Sequence, residues 1–191
     1  DSKQRELILL EQKRLDNNLY IIAVLLPTAC QISGISVATQ YATRIFEGVF
    51  QIDNQYLGAA LGATIMSISK IIGCLIPFPF LNRNFNPTTM FLIGIFGTIS
   101  GNLLLIIANA MGNSTWLIVS GTCLLLLFFE FGPGTVQYIL FGEFYPENAK
   151  NILNSISFAT MSATSIIFTF TFGFINIPWV PFTIFAVGSV I

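Results

Sequence analysis

Six apolar runs, separated by short polar connections, set the pattern of this 191-residue chain. They fall at about 19–46, 56–81, 88–110, 115–141, 151–175 and 177–191. A helix needs about 20 residues to cross the hydrocarbon core of a bilayer, so each of the first five is long enough. The connections hold turn formers: Asp53-Asn54, Asn82 to Pro87, Gly112-Asn113, Pro146 to Asn148 and Asn176 to Pro178. Ahead of the runs, residues 1–18 carry four of the eight basic residues together with Asp1, Glu6, Glu11 and Asp16. Their apolar block Leu7–Leu10 is too short for a signal-peptide core. We read residues 1–18 as a cytoplasmic linker or partly amphipathic surface helix. The pattern as a whole predicts an all-α membrane protein, with a six-helix transmembrane domain over 19–191.

The polar residues inside these runs are few and specific. Glu130 stands in the middle of the fourth run, two residues before Gly132-Pro133-Gly134. Gly and Pro weaken a helix, and a carboxylate in hydrocarbon is costly unless it faces a cavity or a partner. Glu130, Gly134, Gln137 and Phe141 fall on one face at i, i+4, i+7 and i+11, with Tyr138 about 80° around from Glu130 on a straight helix. A carboxylate and an amide beside an aromatic ring suit the hydroxyl edges and C–H faces of a sugar. In the first run Ser33, Ser36, Gln40 and Thr43 share a face, while Gln31 lies about 140° from Ser36. Gln31 and Ser36 reach one ligand only if the helix bends or unwinds near Ser33-Gly34. Lys70 sits near mid-depth of the second run, at a depth similar to Glu130. The expectation is that Lys70 and Glu130 neutralise each other across one cavity; the alternative is that Lys70 snorkels to an interface.

Composition sharpens the class. Hydrophobic residues are 54% and charged residues 9%, with a mean hydropathy of +0.77, against about 25% charged in a soluble domain. The net charge of −1 offers no basic field for nucleic acid. The chain has no histidine, which excludes His-based triads and most zinc sites. Cys30, Cys74 and Cys123 fall in three different apolar runs and read as small buried hydrophobes. No cofactor is expected. With the N-terminus cytoplasmic, Lys3, Arg5, Lys13, Arg14, Arg83 and Lys150 lie inside, and the outer loops carry Glu47 and Asp53, with Arg44 at a helix end. Asn113-Ser114-Thr115 is a glycosylation sequon, outside on this topology but too close to the bilayer for modification to be expected. Pro27 with Ser33-Gly34 in the first run and Gly132-Pro133-Gly134 in the fourth are matching interruptions if the runs form two inverted sets of three. A start at Asp1 without Met and an end inside an apolar run suggest a chain truncated at both ends.

These residues resemble the C-terminal half of a sugar porter of the major facilitator superfamily, of the facilitative glucose-transporter type. The likeness covers nearly all of the chain. The family's seventh-span Gln-Gln-Leu-Ser-Gly-Ile-Asn reads here Cys30-Gln31-Ile32-Ser33-Gly34-Ile35-Ser36, followed by Tyr41 and Ile45-Phe46. The tenth-span Glu-x-Gly-Pro-Gly is kept in full at Glu130 to Gly134, and the sugar-contacting tryptophan aligns with Tyr138. The cytoplasmic Glu and Arg seven residues apart become Glu143 and Lys150, and only Arg83 remains of the basic loop that they meet in the family. Lys lacks the bidentate fork of Arg, so this inner network is expected to be weaker. Two contact asparagines are replaced, one at about Lys70 and one at about Met161.

The resemblance implies a six-helix half of a bundle with a 3+3 inverted repeat, working by alternating access with a missing N-terminal six-helix half. The expected function is transport of a hexose or similar polyol, as facilitative uniporter or proton symporter, in the plasma membrane, and not an enzyme. Gln31, Ser36, Lys70, Glu130, Gln137 and Tyr138 are the expected substrate contacts; Gly132, Pro133, Gly134, Arg83, Glu143 and Lys150 the expected gating residues. Two alternatives accompany it: a transport-dead nutrient sensor or partner-binding membrane protein, and a carrier for an anionic small molecule that Lys70 would bind. A Ser–Lys intramembrane enzyme using Ser33 is the weakest rival, since no histidine activates the serine.

Overall fold

The computed structural model describes residues 2–46, 49–50, 55–83, 85–112, 114–174 and 179–188. Those residues form helices and short turns, with no strand among them. Helix α1 covers Ser2–Ile32, α2 Ile35–Gln40, α3 Ala42–Phe46, α4 Gln55–Leu75, α5 Pro77–Asn82 and α6 Pro87–Ala110. Then come α7 (Thr115–Phe129), a π turn (Glu130–Gly134), α8 (Thr135–Phe144), α9 (Lys150–Phe174) and α10 (Trp179–Gly188). The turns expected at Asp53-Asn54 and Asn176 to Pro178, the outer acid Glu47 and the sequon's Asn113 lie outside the described residues. So do the side chains of residues 1–16, on which the amphipathic reading of the leading segment rests.

Four helical stretches among the described residues are long and apolar enough to cross a membrane: Tyr56–Asn82, Pro87–Ala110, Thr115–Phe144 and Lys150–Phe174. The first apolar run is divided instead. Its apolar helical part, Asn17–Ile32, is shorter than these four and ends at Ser33-Gly34. Large apolar side chains point outward along the spans, Ile71, Phe96 and Phe170 among them. In α9 the buried residues are Leu153, Ser157 and Phe172. Such a surface has no place in water, and the protein is an integral, multi-pass membrane protein.

Prolines inside these helices leave carbonyls without their usual donors, and the neighbours supply replacements. Pro27 has no N–H to give to the carbonyl of Ala23 four residues earlier. The hydroxyl of Ser157 on α9 donates to that carbonyl at 3.0 Å. Tyr145 and Ser157 hydroxyl oxygens are 2.7 Å apart, and because Ser157 has spent its proton on Ala23, Tyr145 is the donor. Burial raises the Tyr145 phenol above its ordinary pKa, partly offset by this bond, so it stays protonated at neutral pH. Pro133 acts differently. The fourth span does not unwind at Gly-Pro-Gly as the residue types suggest; one turn widens to π geometry and the rod continues to Phe144. Thr135 caps the loosened turn, its hydroxyl donating to the Glu130 carbonyl at 2.7 Å.

Glycines let α6 and the fourth span touch backbone to backbone. A Cβ on Gly94 would stand 2.6 Å from Gly132 Cα, and one on Gly132 would stand 2.7 Å from Gly94 Cα. Farther along, a Cβ on Gly101 would lie 2.7 Å from the Leu125 nitrogen. Small residues drive helix association in lipid, where burial of apolar area supplies little. Beside this seam, Phe46, Val37, Leu105, Leu125 and Leu126 form the main buried cluster.

Candidate functional site

Glu130 opens the π turn and is 8% exposed. The ammonium of Lys70 lies 3.3 Å from its Oε1, and the thiol of Cys74 donates to its Oε2 across 3.3 Å. Lys70 and Cys74 are one helical turn apart on α4, so both meet the same carboxylate. Gly73 between them makes the approach possible: a Cβ there would stand 2.6 Å from the Leu127 carbonyl and 3.0 Å from Glu130 Cβ. The pair is lopsided, with the Lys70 side chain 48% exposed and that of Glu130 11%. The expected meeting of Lys70 and Glu130 is thus present as geometry. The role of Cys74 is a correction to its reading as an apolar filler. Its signal in the sequence is its spacing of four from Lys70.

The first span holds a second polar group. Gly34 adopts φ 83, in the left-handed region, and the helix stops there; a side chain at this position would also run into the Phe185 ring. Across the break the Ser36 hydroxyl donates to Gln31 Oε1, joining two residues that a straight helix would hold apart. Asn102 of α6, fully buried, donates from Nδ2 to the Ser33 carbonyl at 3.2 Å. It thereby satisfies a carbonyl that the broken helix cannot, while its own Oδ1 has no partner. Asn102 was not foreseen; an amide in the middle of α6, just past the hydroxyl residues Thr98 and Ser100, is its mark in the sequence. Gln40 and Thr43, expected on the face of Ser33 and Ser36, are exposed beyond the break.

In α8 the expected face is rotated. A π turn inserts about one residue, which turns everything after it by about 100° relative to a continuous α-helix. Gln137 and Phe141 are buried at 2% and 3%, as Glu130 is at 8%. Gln137 Nε2 contacts Met161 Sδ at 3.5 Å, and its Oε1 is buried without a partner. Tyr138 is 46% exposed and stacks on Phe158 of α9, with ring centroids 5.8 Å apart.

The expected gating residues divide in the same way. Gly132, Pro133 and Gly134 form the π turn. Arg83 and Glu143 are exposed, and Lys150 donates to the Gly142 carbonyl at 3.4 Å. Among the residues whose side chains are described the only ion pair is Lys70–Glu130, and Arg83, Glu143 and Lys150 are not paired with one another. A cavity of about 380 Å³ lies between α1, α6, α10 and the π turn, lined by Cys30, Ser33, Phe91, Phe96, Thr98 and Pro133 among others. It holds no charged group and includes neither Glu130 nor Lys70. Its wall is mostly apolar, with Ser33 and Thr98 as its polar members.

Fold and site together define a polytopic helical membrane protein with a charged pair inside one span interface and a polar clamp at a broken helix. The chain belongs to the sugar (and other) transporter family, whose sequence model matches residues 3–191. It is 31% identical over 163 residues to facilitated glucose transporter protein 1 of Caenorhabditis elegans, covering 81% of this chain and 31% of that protein. It is 27% identical over 157 residues to solute carrier family 2, facilitated glucose transporter member 3, of Ovis aries, covering 78% of this chain and 30% of that protein. A facilitated glucose transporter homolog of Caenorhabditis elegans is 25% identical over 142 residues. The chain spans about a third of the length of these relatives.

Proposed function

We propose that this chain is the C-terminal half of a carrier that moves a hexose or similar polyol across the plasma membrane by alternating access. The observation that carries the reading is Glu130: a carboxylate in the middle of a span, held by Lys70 and Cys74 at a widened turn. Ionisable groups at that depth mark solute paths, because a purely structural role rarely offsets their transfer from water. Lys70, Tyr138, Gln31 and Ser36 are the further side chains we place on the path, with the unpartnered oxygen of Gln137 as an acceptor for a solute hydroxyl. The broken first span and the widened fourth span are the matching elements of the two inverted three-helix repeats. They are the segments that bend when the missing N-terminal half rocks against this one. Gly132, Pro133 and Gly134 form the flexing turn, and Arg83, Glu143 and Lys150 close the cytoplasmic side in the outward-open state. No covalent step is involved.

The test is uptake by the full-length protein in proteoliposomes. Glu130→Ala is expected to lower hexose or polyol uptake at least tenfold with the amount of reconstituted protein unchanged; undiminished uptake overturns the reading. The unassembled network of Arg83, Glu143 and Lys150 favours a second reading, a sensor that binds but does not carry. Saturable uptake by the unmodified protein excludes it.

A further inference from the structure

We infer that Lys70, not Glu130, is the group that meets the solute, with Glu130 as its buried counter-ion, and that it selects a hydroxylated carboxylate of the sugar-acid class. The inference rests on the carrier reading and adds the charge class of the solute to it.

The two members of the pair are unequal. Both Glu130 oxygens are already engaged, Oε1 by Lys70 and Oε2 by Cys74. The carboxylate is walled in as well. Gly73 and Leu127 crowd its Cβ side, and a Cβ on Gly134 would stand 2.7 Å from Oε2. Each oxygen keeps an acceptor site, but with Glu130 only 8% exposed a solute hydroxyl has little access to it. Lys70 is the opposite case: an ammonium with three N–H donors, one directed to Glu130, on a side chain 48% exposed. An ammonium turned to lipid at this depth is costly, so the exposed flank of Lys70 belongs to a wet path or to the partner half. A donor-only group there calls for acceptor oxygens, and the strongest is a carboxylate, since charge-assisted hydrogen bonds are about twice as strong as neutral ones. The solute's carboxylate would take the free N–H donors of Lys70, leaving the ammonium shared between two carboxylates.

The experiment compares gluconate with glucose as the transported solute. The full-length protein is reconstituted in proteoliposomes as wild type, Lys70→Met, Lys70→Arg, Glu130→Gln and the double variant Lys70→Met/Glu130→Gln. Wild type is expected to half-saturate with gluconate at a concentration at least tenfold below that for glucose. Lys70→Arg and Glu130→Gln keep that ratio, the latter at a reduced rate, whereas Lys70→Met and the double variant bring it to about one. The double variant leaves no lone carboxylate in the interface, so it reads the ratio even if the single Lys70→Met fails to fold. Wild-type uptake of glucose without preference for gluconate overturns the inference and leaves the carrier reading standing. So does a gluconate preference that survives the loss of Lys70, or one that disappears with Glu130→Gln alone. Absence of uptake of either solute overturns the carrier reading, and this inference with it.

Discussion

Glu130 illustrates how a charged residue is tolerated at the middle of a span. A lone carboxylate there would cost a few kcal/mol, on the order of 2.5–3.5 on insertion scales. One opposite charge and one thiol donor, both from a single turn of α4, compensate it. The attraction between Lys70 and Glu130 is screened on the lysine side, because that side chain is half exposed, so a fully buried pair overstates its worth. Removing one partner still leaves a buried charge without its counter-ion. Lys70→Met is therefore expected to lower stability by about 2 kcal/mol, and adding Glu130→Gln to restore most of the loss. Thermal unfolding in detergent across the four members of this cycle checks it; additive effects would show that the two side chains do not interact. The pair was legible in the sequence because both residues count to a similar depth of their spans. Cys74 was not, since a cysteine in an apolar run is by default a small hydrophobe and only the packing of α4 against the π turn gives it a polar partner.

The elements depart from regular helices where proline and glycine stand, and each departure has its own repair. At Pro27 the helix runs on to Ile32, and Ser157 of α9 supplies the donor that proline lacks. At Gly34 it stops, and Asn102 takes up the exposed carbonyl. At Pro133 it widens, and Thr135 reaches back to Glu130. The sequence marks all three positions but not which outcome each takes, because the deciding donors come from elsewhere in the chain or depend on the local turn geometry. The same limit applies past the π turn: helical-wheel arithmetic holds only until a residue is inserted in the turn. Ser157→Ala tests the first repair. It orphans the Ala23 carbonyl and the Tyr145 hydroxyl, and should cost about 1–3 kcal/mol of stability. Adding Pro27→Ala should return part of that cost, because the new backbone N–H can serve the Ala23 carbonyl within the helix. A double variant no more stable than Ser157→Ala, by thermal unfolding, would show that the serine does not compensate for the proline.

Across the whole molecule, the solvent inverts the usual division of labour. Large apolar side chains lie outside and the closest packing is made by glycines, so the long apolar runs predict helices but not their neighbours. Four spanning helices were readable from run length; the division of the first run and the seam of α6 against the fourth span were not, since Gly94 and Gly132 are ordinary small residues until the helices meet. That seam matters for the site, because the π turn presenting Glu130 is pressed against α6 on its opposite flank. Gly94→Val places a branched side chain where Gly132 Cα and Pro133 Cδ already stand within 2.6 Å of the first added carbon. Neither atom is the end of a flexible side chain, so the helices must separate. The expected loss is about 1–3 kcal/mol, as for other overpacked interiors, together with a weaker hold on Glu130 that shows as lowered uptake in the full-length protein. Gly142→Ala is the control. Its Cβ would meet only the Lys150 ammonium, at 3.9 Å, and should be accepted without loss. Equal melting temperatures for Gly94→Val and Gly142→Ala would mean that the seam is looser than its geometry implies, and that the π turn is held by the fourth span alone.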